Sequence, residues 1–201
     1  MCFSQNASIV SFLVGMSSSL YCYSLGTPDS KVFGVFFAFV SLMQTIDYLL
    51  WRHQFCDYYN KAVSMFGMIL NHFQPILLGL LLLLYKSSSI NKNTVLYILG
   101  VYLLFIIPYS MQFIDNPECT IKDHKTGFQW NGIEKNKTIT YLVFLLCISA
   151  LFYLGFGSYA GILSVLTFVL TIIFYSSKVG ATWCFFAVGV PVLYALKHSI
   201  R

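Results

Sequence analysis

Seven apolar runs, separated by short clusters of Gly, Pro, Asn, Asp, Ser and Lys, organise this chain. They cover about residues 7–25, 32–51, 62–85, 94–114, 138–154, 159–175 and 179–196. At roughly 1.5 Å per residue, a helix over each run reaches across most or all of the ~30 Å hydrocarbon core of a bilayer. Neither strict alternation nor an amphipathic stripe dominates them, so they read as membrane helices rather than strands or surface helices. Gly26-Thr27-Pro28-Asp29, Gly155-Phe156-Gly157-Ser158 and Ser176-Ser177-Lys178 supply turn chemistry between runs. The only long polar stretch lies at about 115–137. The expectation is an all-α integral membrane bundle of seven transmembrane helices, a single transmembrane domain over 1–201 with one long extramembrane loop.

Composition moves the same way. The chain is 58% hydrophobic and only 9% charged, where soluble domains carry charge on about a quarter of their residues. Its net charge of +5 does not point to nucleic acid, because the Lys and Arg residues stand singly at the ends of runs rather than in a patch. They do orient the chain. Short loops on the N-terminal side contribute Arg52, Lys61 and Lys178, and those on the opposite side contribute Lys31, Lys86, Lys92, Lys197 and Arg201. The positive-inside rule then puts the N-terminus outside and the C-terminus in the cytoplasm. No Lys or Arg precedes the first run, so no cleavable leader is expected and the first helix serves for insertion.

The cysteines agree with that orientation. Cys2, Cys56 and Cys119 all fall on the N-terminal side, where an oxidising compartment permits pairing. Cys56 and Cys119 occupy successive outer loops and are the disulfide candidate; Cys2 with Cys184 is the less favoured pair, and Cys22 and Cys147 read as small core residues. The sequons Asn6-Ala7-Ser8 and Asn136-Lys137-Thr138 lie on the same side.

Several short motifs run through the whole chain: Met1-Cys2-Phe3-Ser4 with Ala7-Ser8, Met43-Gln44, Cys56 with Asn60, His72-Phe73-Gln74-Pro75, Trp130-Asn131-Gly132 and Trp183-Cys184. In these the chain resembles a poorly characterised family of small polytopic membrane proteins, known mainly from bacterial sequences, that begin Met-Cys-Trp/Phe-Ser and carry a Phe-Gln-Pro third helix and a C-terminal Trp-Cys motif. The resemblance implies a multi-spanning fold and brings no activity with it. Asp47 stands where that pattern has a Glu, and Asn71-His72 precedes Phe73 where it has a His two residues before the Phe.

Candidate chemistry is confined to polar residues inside the runs. An ionised carboxylate in hydrocarbon costs several kcal/mol, so Asp47 should face the bundle interior. Gln44, Asp47 and Trp51 share one face of the second run by their three- and four-residue spacing. Asn71, His72 and Gln74 fall near mid-membrane, and Pro75 removes the N–H that would bond the Asn71 carbonyl. Together Gln44, Asp47, His72, Gln74, Tyr109 and Trp183 outline an outward-facing pocket, with Asp47 and His72 as its titratable members. The static alternative is glue: Asp47 paired with Arg52 or bonded to Tyr109, and His72 as a satisfied core histidine.

The partners this predicts are the bilayer and a small polar ligand or a proton. No zinc spacing, HExxH, GxSxG, phosphate-binding glycine loop or mid-membrane lysine of the seventh run appears, and Met65, Met68 and His72 on one face read as packing. The pattern therefore assigns no metal, no cofactor and no recognised enzyme class. A transporter or channel-like protein is the leading expectation. An intramembrane enzyme acting on a lipid or quinone, and a structural or receptor-like protein docking through the long loop, are the alternatives.

Overall fold

Inside hydrocarbon every backbone N–H and C=O must be paired within the chain, and for a single apolar run only a helix does this. A computed structural model describes residues 4–86, 88–123, 127–129, 137–175 and 179–199. Among them it has eight helices: α1 (Gln5–Ser24), α2 (Pro28–Arg52), α3 (Tyr58–Tyr85), α4 (Lys92–Asp115), α5 (Lys137–Phe156), α6 (Ser158–Tyr175), α7 (Val179–Ala187) and α8 (Gly189–Ser199). Five of them, α1 to α5, are long and apolar enough to cross a membrane. The opening Met1-Cys2-Phe3, the Trp130-Asn131-Gly132 motif, Asn136 and the Ser176-Ser177-Lys178 turn lie outside the described residues.

The helices begin earlier than the apolar runs because polar side chains cap them. The N–H groups of Ala7, Ser30, Asn60 and Thr94 donate to the side-chain oxygens of Ser4, Thr27, Asp57 and Asn91 at 3.0–3.3 Å, which satisfies donors that the first turn leaves open. Pro28 starts α2, where its missing N–H costs nothing. Gly26 and Gly157 turn the chain between helices with φ of +77° and +87°.

Two features depart from the sequence pattern. The last apolar run, expected as one helix over 179–196, is interrupted at Val188 into α7 and α8. Pro191 explains the break: a continuous helix would need its N–H to reach the Ala187 carbonyl, whereas in the first turn of α8 no such donor is required. The long polar loop also contains structure, since β1 (Ile121–Asp123) and β2 (Gly127–Gln129) pair antiparallel with Ile121 opposite Gln129.

Helix α2 is the hub, packed against α1, α3, α7 and α8. It approaches α1 through small residues, with Ser8, Gly15, Ser19 and Cys22 of α1 buried and Ser30, Gly34 and Ser41 of α2 buried in turn. A Cβ on Gly34 would lie 2.7 Å from the Tyr23 Cβ and 2.8 Å from the Ser19 carbonyl oxygen. Close backbone approach of this kind replaces the hydrophobic drive that hydrocarbon solvent removes. The apolar core beyond it is built from Phe36, Phe37 and Val40 with Leu78, Leu82, Tyr102, Ile148 and Phe168. Outward-facing positions are apolar as well, Leu104 being 75% exposed and Leu142 52%, as a lipid-facing surface requires.

The two ends of the bundle are fastened differently. At the end holding the start of α1, a disulfide joins Cys56 to Cys119 with Cα atoms 5.5 Å apart. Beside it the buried Asn60 side chain acts as a peptide mimic: its Nδ2 donates to the Thr120 carbonyl at 3.0 Å, and its Oδ1 accepts from the Thr120 N–H at 2.9 Å. Ser64 Oγ donates to Thr120 Oγ1 at 2.8 Å. Asp57 caps α3 and meets His53 at 2.7 Å. At the other end Lys86 is paired with Asp29 at 2.7 Å, donates to the Gly155 carbonyl at the end of α5, and lies over the Phe156 ring.

Three outcomes follow for stability. Gly34→Val should destabilise the detergent-solubilised protein by about 1–3 kcal/mol through overpacking, while Gly100→Ala, with nothing within 4 Å of the added Cβ, should leave thermal unfolding unchanged or slightly improved; equal melting of the two would refute the close α1–α2 contact. Asn60→Leu should remove the donor to the Thr120 carbonyl, leaving the Thr120 N–H only Ser64 Oγ at 3.2 Å, and raise the fraction of thiol-reactive Cys56 and Cys119 after mild reduction. The Asn60 N–H, and then His53, hold the Asp57 carboxyl below its usual range. Its contribution is therefore complete above the ordinary aspartate value and is lost as pH falls through the lowered one. Wild type should accordingly lose stability over that acid window more steeply than Asp57→Ala, read from pH-dependent melting.

Candidate functional site

The largest polar side chains of the bundle interior include groups on α2, α3 and α7. On α2, Gln44 is 0% and Asp47 1% exposed; on α3, Gln74 is 0% exposed; on α7, Cys184 is 0% and Trp183 4% exposed. Three- and four-residue spacing puts Gln44 and Asp47 on the face of α2 that turns inward. Gln74 Nε2 donates to Cys184 Sγ at 3.6 Å, and Asp47 lies within electrostatic reach of the same sulfur. Tyr141 of α5 is within electrostatic reach of Cys184 on one side and Tyr109 of α4 on the other. The Gln74–Cys184 bond joins α3 to α7, and Asp47 of α2 and Tyr141 of α5 act on the same sulfur through their charges.

The Gln74 amide is only half satisfied. Its Oε1 is buried with no hydrogen-bond partner among the described residues, and the same holds for Asn71 Oδ1. Leaving such an acceptor unpaired costs about 1–3 kcal/mol. A structural role alone does not account for retaining that cost at two positions one turn apart.

His72 belongs to a neighbouring arrangement. Two residues along a helix rotate a side chain by roughly 200°, so His72 and Gln74 leave α3 on opposite faces. His72 Nδ1 shares a hydrogen bond of 3.0 Å with Ser110 Oγ, and its ring packs edge-on against Tyr109 with centroids 5.4 Å apart. The Tyr102 hydroxyl donates to the His72 carbonyl at 2.9 Å, one residue from the Asn71 carbonyl that Pro75 leaves without its helical donor.

Of the six pocket residues read from the sequence, Gln44, Asp47, Gln74 and Trp183 are therefore buried in the bundle interior, and His72 and Tyr109 pack together where α3 meets α4. Tyr141 bridges towards both groups. Trp183 also lines an apolar cavity of about 80 Å³ between α2, α5, α6, α7 and α8. Sequence reasoning missed Tyr141, Ser110 and the Gln74–Cys184 contact. Tyr102 was legible in principle, since it precedes Tyr109 by two helical turns and so shares its face. Tyr141 carried no signal, standing in an apolar run that also holds Tyr153.

Among the described residues no group of three or more His, Cys, Asp or Glu side chains is placed to hold a metal ion. Compared with protein-family models, with curated proteins and with solved structures, the chain matches none of them.

Gln74→Met, close in volume and without an unpaired acceptor, should raise the melting temperature in detergent by an amount equivalent to about 1 kcal/mol. A clear loss of stability would mean that the Gln74 amide is structural glue.

Proposed function

We propose that this chain is a seven-span membrane protein, with its N-terminus outside and its C-terminus in the cytoplasm, that moves a small polar solute or a proton through the cluster around Gln44, Asp47 and Gln74. The observation that carries the reading is the buried acceptor of Gln74, without a partner among the described residues, on the same amide that bonds Cys184, in a bundle interior that also holds an aspartate only 1% exposed. Intramembrane ionisable residues mark transport routes and proton relays more often than they serve as inert packing. The uneven distribution of Lys and Arg supports the orientation, and so does a disulfide at the end holding the start of α1, since oxidising compartments favour such bonds. The further reading of the chain as a member of the Met-Cys-Trp/Phe-Ser family rests on its motifs alone.

The mechanism turns on the proton carried by Asp47. Gain or loss of that proton changes the charge of a side chain only 1% exposed, and with it the balance between its contacts inside the bundle and hydration. Proton occupancy would thus bias the helices around Asp47 between a drier and a more hydrated arrangement. Tyr141, Tyr109 and His72 extend the cluster towards α4 and offer successive groups over which a proton can pass.

In proteoliposomes with an imposed pH gradient, the wild type should dissipate the gradient, and Asp47→Asn should lower the rate at least about tenfold, equivalent to ~1.4 kcal/mol. Gel-filtration behaviour and the Cys56–Cys119 disulfide should be retained in the variant. An unchanged rate in a folded Asp47→Asn protein removes Asp47 from the mechanism.

A further inference from the structure

The cavity between α2, α5, α6, α7 and α8 belongs to a different chemistry from the polar cluster. Its wall is aromatic, with Phe33, Phe37, Phe152, Trp183 and Phe186 prominent. Two hydroxyl residues line it, Ser164 and Thr167, and both are engaged within the protein: Ser164 Oγ accepts from Ser149 Oγ at 3.1 Å, and Thr167 Oγ1 donates to the Ser164 carbonyl at 3.0 Å. A polar solute or a chain of waters would find few partners there, because a buried water needs two to four of them. The occupant that fits is apolar.

Size narrows the choice. The volume of about 80 Å³ is roughly half that of an engineered apolar cavity, about 150 Å³, that admits benzene. A substituted ring such as a quinone would have to displace the wall. A hydrocarbon chain, one methylene wide, does not, and Leu163 and Phe186 on the rim are exposed on the surface that faces lipid in the membrane reading.

Charge narrows it again. Phe33 in the cavity wall meets Phe156 at 4.5 Å, and Lys86 Nζ stands 4.5 Å over the Phe156 ring. Phe33 also stacks on Tyr194 at 4.7 Å, and Tyr194 meets His198 at 4.6 Å, next to the exposed Lys197. Lys31 lies over the Tyr85 ring at the same end of the bundle. Against these cationic groups stands Asp29, the partner of Lys86. Two short aromatic bridges thus connect the apolar cavity to an end of the bundle where positive charge exceeds negative.

We propose that this cavity seats an acyl chain of an anionic phospholipid, with the headgroup held at the end of the bundle that carries the exposed Lys197 and its neighbour His198. The inference rests on the membrane reading but not on the solute pathway, so the two can fail separately.

The test uses Trp183 as reporter. In the full chain carrying Trp51→Phe and Trp130→Phe, Trp183 is the only tryptophan; the protein is reconstituted in phosphatidylcholine vesicles containing phosphatidylglycerol brominated on one acyl chain. A side chain only 4% exposed is shielded from bulk lipid, so strong quenching requires a chain inside the cavity. The expected result is strong quenching that falls by most of its amplitude in Ala160→Phe, which fills the cavity, and that is weaker when the brominated lipid is phosphatidylcholine. Absence of quenching, or quenching that survives Ala160→Phe in a protein retaining its disulfide and melting transition, overturns the acyl-chain site. Equal quenching by the two lipids overturns the headgroup assignment. Relief of quenching by a short-chain quinone at low concentration would replace the lipid with a ring ligand. Should Ala160→Phe fail to fold, Leu163→Trp combined with Trp183→Phe in the same background moves the reporter to the rim, and rim fluorescence quenched no more by phosphatidylglycerol than by phosphatidylcholine would count against the site.

Discussion

The rest of the structure depends on one constraint: a chain this apolar can leave no backbone donor or acceptor unpaired in hydrocarbon. It makes each run a helix, and it explains where irregularity is tolerated. Pro75 sits in mid-helix where the Tyr102 hydroxyl is available to the neighbouring His72 carbonyl. Pro191 is admitted where the chain has just ended one helix and is starting another, so that its missing N–H falls among the open donors of a first turn. The carbonyl of Pro191 is itself used, accepting from the Cys22 thiol of α1 at 3.4 Å. Side chains on neighbouring helices thus bond to backbone carbonyls close to the two prolines, and these contacts hold α3 to α4 and α1 to α8.

The same constraint leaves packing to do what hydrophobic exclusion does in water. With apolar residues both inside and outside, the positions that select one arrangement of helices are small or polar. Gly15, Ser19 and Gly34 set the distance between α1 and α2. Asn60, Ser64 and Thr120 fix the corner between α3 and the start of β1 by buried hydrogen bonds. Among the described residues the buried Ser19 and Thr45 hydroxyls and the Asn71 and Gln74 acceptors have no hydrogen-bond partner, and of these the last two stand one turn apart on α3.

How much of this was legible in the sequence follows from which interactions are local. Helix positions were, because an apolar run and its capping Ser, Thr, Asp or Asn are contiguous in the chain. The face shared by Gln44 and Asp47 was, because it depends only on the helical repeat. Placing Gln74 with Cys184 was not, since the two are 110 residues apart and nothing in either segment specifies the rotation of α3 against α7. His72, by contrast, stands two residues from Gln74, and the helical repeat alone puts the two on opposite faces of α3. The break at Val188 could have been read from Gly189 and Pro191, but an unbroken run of apolar residues masked it. The hairpin in the long loop carried almost no pattern, as three residues per strand are too few to show alternation.

The two fastenings at the ends of the bundle limit how a transport cycle could proceed. The corner joining α2, α3 and β1 is closed by a covalent bond and by a bidentate amide contact, so it moves as a unit. The opposite end relies on Lys86, held by one carboxylate, one helix-end carbonyl and one ring. Between them α7 is nine residues long and ends at a break. One turn of it carries Cys184 into the polar cluster and Trp183 into the wall of the aromatic cavity. Any motion that admits water to Asp47 while sparing the disulfide-closed corner therefore falls most readily on α7. An apolar chain seated against Trp183 would oppose that motion, so lipid occupancy and the proton on Asp47 would bias one and the same element.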